Sequence, residues 1–140
     1  MKSLLHNITF VCTVMILTGC GGANDGPATF PVSGKVTWDG KPVVEGNIIF
    51  RDAEEKTASA AGKIEDGEFS FRAIAGKKTV VITATREVPG KTAVGGAPDE
   101  PAVPAIEQYI PADYNEKSTL EAVVSDSGSN EFEFDLKSKK

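Results

Sequence analysis

The side chain best suited to chemistry in this sequence is the thiol of Cys20, which stands between two very different segments. Before it, Ile8 to Leu17 reads ITFVCTVMIL, a ten-residue apolar run that follows the positive start Met1-Lys2. This is the length of the hydrophobic region of a secretory signal peptide, and it is too short to span a bilayer. After the thiol comes GGANDGPAT, a polar, glycine-rich segment. The sequence therefore predicts a signal peptide that ends beside this thiol.

The residues at that end, Leu17-Thr18-Gly19-Cys20, resemble the lipobox of bacterial lipoproteins rather than the A-x-A ending of an ordinary signal peptide. The resemblance implies that the lipoprotein signal peptidase recognises Leu17, Thr18 and Gly19 and removes residues 1–19. It also implies that Cys20 becomes the lipidated first residue, a thioether of diacylglycerol carrying acyl chains such as palmitate. Two or three such chains hold a protein firmly, because each buried CH₂ contributes about 0.8 kcal/mol. The alternative is a secreted protein, or a short uncleaved anchor, with Cys20 as a free thiol.

Lipidation predicts attachment to a membrane of the cell envelope without a transmembrane helix. Gly21 follows Cys20 where an aspartate would act as an inner-membrane retention signal in many bacteria, which favours the outer membrane over the inner membrane. Residues 20–30 have no apolar periodicity and are predicted to be a flexible tether. A random coil of nine such residues spans roughly 17 Å. The folded domain would therefore lie just above the lipid surface.

The remaining residue types argue against an enzyme. His6 and Cys12 leave with the signal peptide, so residues 20–140 contain no histidine and no thiol other than Cys20. Nucleophile-base pairs and zinc sites of the usual kind cannot be built without them, and we predict no catalytic residue and no cofactor. Adjacent carboxylates, as at 54–55 and 99–100, are interpreted as solvated charges rather than as a glycosidase pair. The net charge of −5, or −6 without Lys2, also argues against nucleic acid as a partner.

Oxygen-rich segments offer one further kind of site. RDAEE, WDG and SDSGSN could supply ligands to calcium, but none has the D-x-D-x-D-G spacing, and turn formation explains them equally well. We therefore predict no metal site. The basic C-terminal tail, Lys137, Lys139 and Lys140, is interpreted as a solubilising end.

Alternation of apolar and polar residues from Pro31 onward predicts strands, and no segment has a helical period. Two Asp-Gly pairs, Asp39-Gly40 and Asp66-Gly67, predict hairpin turns between successive strands. About seven strands at intervals near ten residues predict an all-β, antiparallel β-sandwich over residues 31–138. The faces predicted to be buried contain Val32, Gly34, Val36 and Trp38; Val44, Ile48 and Phe50; Phe69 and Phe71; Val80, Ile82 and Ala84; Leu120, Ala122 and Val124; and Phe132, Phe134 and Leu136.

A proline- and glycine-rich segment interrupts this pattern at about residues 88–106. We predict a mobile loop there, because long segments without periodicity in compact domains are usually functional or disordered. The following EQYIPADYN is predicted to be an ordered return, with Tyr109, Ile110 and Tyr114 packed against the sandwich.

The segments PVSGKVTWDGKPVVEGNIIF, GKIEDGEFSF and YIPADYNEKSTLEAVVSDSGSNEFEFDL resemble small lipoproteins of planctomycete bacteria with a carboxypeptidase-regulatory-like, or transthyretin-like, domain. The resemblance covers Pro31 to Lys137. It implies a seven-stranded immunoglobulin-like sandwich of the prealbumin or starch-binding-like type, with no enzymatic activity. This chain departs from that pattern at Lys78, where such proteins often have an aromatic residue.

Together these features predict a lipid-anchored, non-enzymatic envelope lipoprotein that acts as a structural or protein-interaction module through exposed strand edges. Its expected partners are the membrane, through the anchor, and envelope proteins or polysaccharide. The alternative is a carbohydrate-binding module, with Trp38, Tyr109 and Tyr114 as candidate sugar contacts. Trp38 shares its face with Val32 and Val36, which favours a core role, and burial is the ordinary outcome for the two tyrosines.

Overall fold

The protein is all-β in the residues that the computed structural model describes, which are 26–93 and 103–138. The predicted β class is confirmed, and each of the seven predicted strand segments contains a strand. The signal peptide, Cys20 and the first residues of the tether lie outside the described residues. The strands are β1 (Thr29–Trp38), β2 (Lys41–Pro42), β3 (Glu45–Asp52), β4 (Ala60–Glu65), β5 (Glu68–Ile74), β6 (Gly76–Thr83), β7 (Thr85–Ala93), β8 (Val103–Gln108), β9 (Leu120–Val124) and β10 (Glu131–Leu136), with a turn of 3-10 helix at Ala112–Tyr114.

Seven of these strands form one continuous sheet in the order β10-β1-β5-β4-β3-β6-β9. The short strand β2 pairs beside β1, and β7 and β8 form a separate two-stranded sheet. Neighbouring strands are antiparallel except for β1 and β10, which run parallel. The prediction of purely antiparallel pairing is therefore wrong for this one pair. The first strand of the domain and the last lie side by side.

The main sheet is strongly curled. Phe50 on β3 lies 5.1 Å from Phe71 on β5 and 5.6 Å from Phe132 on β10, measured between ring centroids. In a flat sheet β3 and β10 would be four strand spacings, or roughly 19 Å, apart. The two flanks of the sheet therefore face each other and enclose the core. The fully buried side chains include Phe50, Ile48, Ile64, Ile82, Leu136, Val32, Val36, Val43, Val80 and Val124.

Both Asp-Gly pairs form two-residue turns. The φ angles are 49° and 80° at Asp39-Gly40 and 50° and 82° at Asp66-Gly67, the positive values that a type I′ turn requires. The second turn joins β4 to β5, as predicted. The first joins β1 only to the two-residue strand β2, and β3 pairs with β4 and β6. The predicted hairpin between the first strand and the VVEGNIIF segment is therefore wrong.

Val44 faces solvent, against prediction. It precedes β3, which begins at Glu45, so the alternation that places Ile48 and Phe50 in the core does not extend to it. Val43 is fully buried instead, while Val44 has an exposed fraction of 69%. The side chain expected inside the core is thus one of the most exposed apolar groups in the described residues.

Strands β7 and β8 form an antiparallel ribbon that includes much of the segment predicted to be a loop at 88–106. Thr85 pairs with Gln108 at its base and Ala93 pairs with Val103 further out. The register shifts between Glu87 and Thr92, which lets the ribbon accommodate the proline and glycine at 89–90. The sequence prediction therefore missed this regular structure, and residues 94–102 lie outside the described residues. No described residue of the ribbon is fully buried.

Candidate functional site

The candidate site is an open groove at one end of the sheet. β1 begins with Thr29 at the opposite end and reaches the groove with its last residue, Trp38. The ribbon starts at the same end, since Thr85 and Ile106 also line the groove. We call this part of the molecule the groove end.

The groove has a volume of about 620 Å³ and lies between the β1–β2 turn region and the base of the ribbon. Its apolar wall contains Trp38, Pro42, Val44, Ile106 and Tyr109. Concave surfaces of this size that combine apolar groups with a few polar ones are the usual form of ligand and peptide sites. The groove therefore has the size and the mixed lining of a surface that binds a partner.

Trp38 belongs both to the core and to the groove wall. The alternation along β1 turns it toward the core with Val32 and Val36, and it packs there as a half-buried side chain. Its ring centroid lies 5.9 Å from that of Tyr109 and 6.4 Å from that of Tyr114, with interplanar angles of 74° and 88°. Aromatic pairs prefer such edge-to-face geometry. The predicted core role is confirmed, and the same residue also lines the groove.

Tyr109 is held at the groove from two sides. Its backbone N–H donates to the carbonyl of Ala84 at 3.2 Å, which ties the return segment to the end of β6. The guanidinium carbon of Arg86 lies 5.2 Å from the ring centroid, a cation–π distance. Burial raises the pKa of the Tyr109 phenol, and the charge of Arg86 partly offsets this effect. The hydroxyl therefore stays protonated at neutral pH and can donate a hydrogen bond to a ligand.

Tyr114 does not line the groove. It closes the 3-10 turn and packs against Trp38, while its hydroxyl accepts a hydrogen bond of 3.2 Å from the backbone N–H of Lys137. The side-chain amide of Asn115 donates to the carbonyls of Ile110 and Pro111 at 3.0 and 3.1 Å. These contacts confirm the predicted ordered return. Tyr114 therefore supports Trp38 from behind the groove and is not itself a lining residue.

Two groove residues, Val44 and Ile106, were not recognised by the sequence patterns as surface contacts. Their exposed fractions are 69% and 68%, whereas large apolar side chains in the described residues are mostly buried. Exposed apolar groups that cluster mark interaction surfaces more often than isolated ones do. The alternation of the VVEGNIIF segment pointed to the core for Val44, and Ile106 lay in an assumed loop. No sequence signal distinguished these two exposed residues from residues of the core.

The rim of the groove is charged with both signs. Arg86 forms an ion pair of 2.7 Å with Glu107 across the ribbon. Within the described part of the chain, Lys41, Glu45 and Glu87 form no ion pair, although all three line the groove. The groove thus offers one unpaired cation and two unpaired carboxylates around an apolar centre.

A second polar cluster lies at the other end of β6. Lys78 has an exposed fraction of 1%, and its Nζ donates to Asp52 Oδ2 at 3.2 Å and to Thr57 Oγ1 at 3.1 Å. The Thr57 hydroxyl donates to the same carboxylate, as does the backbone N–H of Glu54 at 2.9 Å. These donors hold the pKa of Asp52 well below its ordinary value, and the hydrogen bond from Thr57 has the largest effect. These hydrogen bonds fasten the loop after β3 to β6.

The oxygen-rich segments are used in turns. Asp39 Oδ1 accepts from the backbone N–H of Ser138 at 2.9 Å, and Asn130 accepts from Ser125 and donates to the carbonyls of Ser125 and Pro31. Across residues 26–93 and 103–138 no three His, Cys, Asp or Glu side chains come together as a metal site would require. The side-chain oxygens of Asp39, Asp52 and Asn130 thus accept hydrogen bonds within the protein.

No family model, no curated protein and no solved structure matches this chain. The described portion of the chain contains no helix with the length and hydropathy of a membrane span. The residues of the predicted lipid anchor, Leu17, Thr18, Gly19 and Cys20, lie outside the described residues.

Proposed function

We propose that this chain is a lipid-anchored, non-enzymatic lipoprotein of the cell envelope, and that its groove end is a protein-interaction surface. In this proposal the two flanks of the curled sheet form an immunoglobulin-like sandwich of the transthyretin type. The seven-strand path of the main sheet and the Phe50 cluster between its flanks support that architecture. The L-T-G-C sequence supports the anchor.

The observation that carries the proposal is the distance between the start of the domain and the groove. β1 runs ten residues from Thr29 to Trp38, a length of roughly 30 Å. A lipid on Cys20 would sit nine residues before Thr29, and a coil of that length averages about 17 Å. The lipid would therefore hold the far end of the sheet at the membrane. The groove would face away from the lipid, where a partner can reach it.

The chemistry of the chain supports binding rather than catalysis. Residues 20–140 contain no histidine, and their one thiol is the proposed lipidation site. The groove itself contributes a tryptophan, a tyrosine, aliphatic groups and solvent-exposed charges. These groups recognise a partner by apolar contact and hydrogen bonding. We therefore assign the groove a binding role.

Labelling with a clickable fatty acid in cells tests the anchor. We expect the parent chain to carry the label and to sediment with membranes, and the Cys20→Ser variant to lose both properties. Cys12→Ser is the matched control, because it removes the other cysteine of the sequence and should leave labelling intact. A Cys20→Ser variant that still carries the label would overturn the anchor.

Affinity capture from envelope extract tests the groove. We expect a protein partner to be retained by the parent chain and to be lost from Val44→Asp and Ile106→Asp. Val123→Asp is the control, because Val123 is similarly exposed, at 64%, but lies on β9 and does not line the groove. Equal retention by all variants would place the contact elsewhere on the molecule.

A carbohydrate-binding module is the second candidate, and one observation favours it. Trp38 and Tyr109, two of the three candidate sugar contacts, line the same groove. Sugars stack on aromatic rings, and the single tryptophan of the chain reports such contact by its fluorescence. Titration with envelope polysaccharides should then shift its emission saturably in the parent and not in Tyr109→Ala. An unchanged emission with every polysaccharide would count against this candidate.

A further inference from the structure

Strands β4 and β5 pair with each other only beside their turn. The pairing covers residues 64–65 on β4 and 68–69 on β5, whereas β4 pairs with β3 over six residues and β5 pairs with β1 over seven. Beyond these pairs the two strands diverge into the two facing flanks of the curled sheet, and we call the gap between them the β4–β5 seam. Facing layers lie about 10 Å apart, which is two strand spacings of about 4.8 Å. One further strand therefore fits between the two edges.

Alternate residues of both strands direct their backbone groups into this seam. The residues that flank the two-residue turn exchange hydrogen bonds across it, and the same orientation recurs at every second position along each strand. On β4 these positions are Ala61 and Lys63, and on β5 they are Ser70 and Arg72. Within residues 26–93 and 103–138 no strand pairs with these four positions on the seam side. Unpaired edge groups of this kind can hydrogen-bond an added strand.

The seam has an apolar inner side and a polar outer side. Phe71 is half-buried and packs over Gly62 so closely that a Cβ at Gly62 would lie 2.5 Å from the ring. On the outer side, Lys63 and Ser70 line a depression of about 610 Å³ that begins where the pairing ends. A strand in the seam would cover Phe71 with its inward side chains and expose its outward ones. The seam therefore matches an extended segment in which apolar and polar residues alternate.

The opposite edge of the sheet, between β9 and β10, is protected in ways that the β4–β5 seam is not. The side-chain amide of Asn130 bonds to the backbone N–H and carbonyl of Ser125, which ties the end of β9 to the start of β10. The Tyr114 hydroxyl accepts from the N–H of Lys137 at the other end of β10. β10 also contains three acidic side chains, and charge on an edge strand opposes pairing with another chain. In the described residues no side chain bonds to the backbone groups that face the β4–β5 seam.

We propose that the β4–β5 seam binds an extended segment of a partner protein by strand addition, with the apolar side chains of that segment turned toward Phe71. The segment would hydrogen-bond to both edges, parallel to one strand and antiparallel to the other, because β4 and β5 are themselves antiparallel. The seam is separate from the groove, since no residue that lines the groove belongs to β4 or β5. Strand addition there does not depend on the role proposed for the groove.

Hydrogen exchange of the full chain in mild detergent, measured by NMR, tests whether the seam is open. We expect the amides of Ala61, Lys63 and Ser70 to exchange at least about tenfold faster than those of Gly62 and Phe71, which face β3 and β1. Equal protection of the two groups would show that the seam is closed and would overturn the proposal. This measurement needs no variant, so it does not depend on the folding of a substituted chain.

A displayed library of random peptides, selected on the full chain, supplies the probe for binding. We expect the recovered peptides to alternate apolar and polar residues and to slow exchange at Lys63 and Ser70. Ala61→Pro should weaken their binding at least about tenfold, because it removes an N–H that faces the seam and none that pairs with β3. Glu133→Pro is the matched control, because it places a proline on an edge strand at a position whose N–H faces away from β1.

The outcomes separate the seam from other surfaces. Peptides that bind Ala61→Pro as tightly as the parent, or a selection that recovers no binder, would overturn strand addition. If Ala61→Pro does not fold, Ser70→Pro replaces it, because the Ser70 N–H faces the same seam from β5. Peptides that are lost from Ile106→Asp and leave exchange at the seam unchanged bind the groove, and strand addition then fails while the role of the groove stands.

Discussion

Lys78 is a charged side chain buried among apolar ones, and its partners explain how the fold tolerates it. Its ammonium contacts Asp52 and Thr57, while its aliphatic stem occupies a core-facing position of β6. The alternation of β6 places Lys78 on the same face as Val80 and Ile82, so its burial could be read from the sequence. Its partner could not, because Asp52 lies 26 residues earlier and only strand pairing brings the two together.

The hydrogen bonds that Asp52 accepts, first from Thr57 and then from the Glu54 backbone and Lys78, predict a pH dependence of stability. Because the folded pKa of Asp52 is lowered, its carboxylate stabilises the fold above its unfolded pKa of about 3.9, and this contribution is lost as pH falls toward the folded pKa. We expect the Tm of the parent to fall as the solution is acidified below about pH 4. Asp52→Asn should be less stable than the parent at neutral pH, because it leaves the Lys78 ammonium buried without a counter-ion, and its Tm should vary less over the acid range. Thermal unfolding across pH measures both.

An exposed ion pair provides the control. Lys77 and Glu121 lie 2.8 Å apart with more than half of each side chain exposed, so Glu121→Gln should change the Tm little. An Asp52→Asn variant as stable as the parent near neutral pH would show that the buried pair contributes nothing.

Only the aromatic residues of the groove could be predicted from the sequence, because their residue type marks them as candidate contacts. Trp38 and Tyr109 stand out as aromatic residues, and both line the groove. Val44 and Ile106 have the side chains of core residues, and their exposure follows from the start of β3 and from the ribbon. Neither the start of β3 nor the existence of the ribbon can be recognised from local sequence patterns. The site was therefore recognised in part, and its apolar rim appeared only in three dimensions.

Among the elements, the strands with clean alternation were the most predictable. The burial of β10 agrees with its sequence alternation, because Phe134 and Leu136 are buried and the intervening acidic residues are exposed. The sheet order was not predictable, because pairing depends on contacts between residues far apart in the chain. Two such features are that β3 pairs with β4 instead of forming a hairpin with β2, and that β10 pairs in parallel with β1.

The glycines of the two hairpin turns allow the same substitution to be compared at two positions. Gly40 and Gly67 have nearly the same φ, 80° and 82°, so alanine at either position is strained by about 1–2 kcal/mol. A Cβ at Gly40 would meet no atom within 4 Å, whereas at Gly67 it would lie 2.7 Å from Pro42 Cβ. We therefore expect Gly67→Ala to lower the free energy of unfolding by about 1–3 kcal/mol more than Gly40→Ala. Denaturant unfolding of the two variants measures the difference, and equal losses would contradict the contact with Pro42.

At the scale of the whole molecule, the ribbon lies outside the buried core. None of the described residues of β7 and β8 is fully buried, and Arg86 pairs with Glu107 at the base. Replacing residues 87–106 by Asn-Gly would close the base with a two-residue turn. We expect the shortened chain to unfold cooperatively with a Tm within a few degrees of the parent, and to lose the captured partner because Ile106 is absent. Circular dichroism and affinity capture from envelope extract measure the two effects.

Ile106→Asp in the full-length chain separates the ribbon backbone from its side chain. If the shortened chain fails to fold while Ile106→Asp folds and loses the captured partner, the ribbon is needed for the sheet and the contact depends on the side chain alone. A shortened chain that retains the partner as well as the parent does would contradict the part assigned to the ribbon.

The parallel pairing of β1 with β10 also determines when the protein can finish folding. Ser33 to Trp38 hydrogen-bond to residues that follow almost one hundred positions later, from Glu131 to Leu136. The edge of β1 that faces β10 therefore has no partner until β10 has been synthesised. Pairing over such sequence separations forms slowly. The complete seven-strand sheet can therefore form only after the chain from Thr29 to Leu136 has been made.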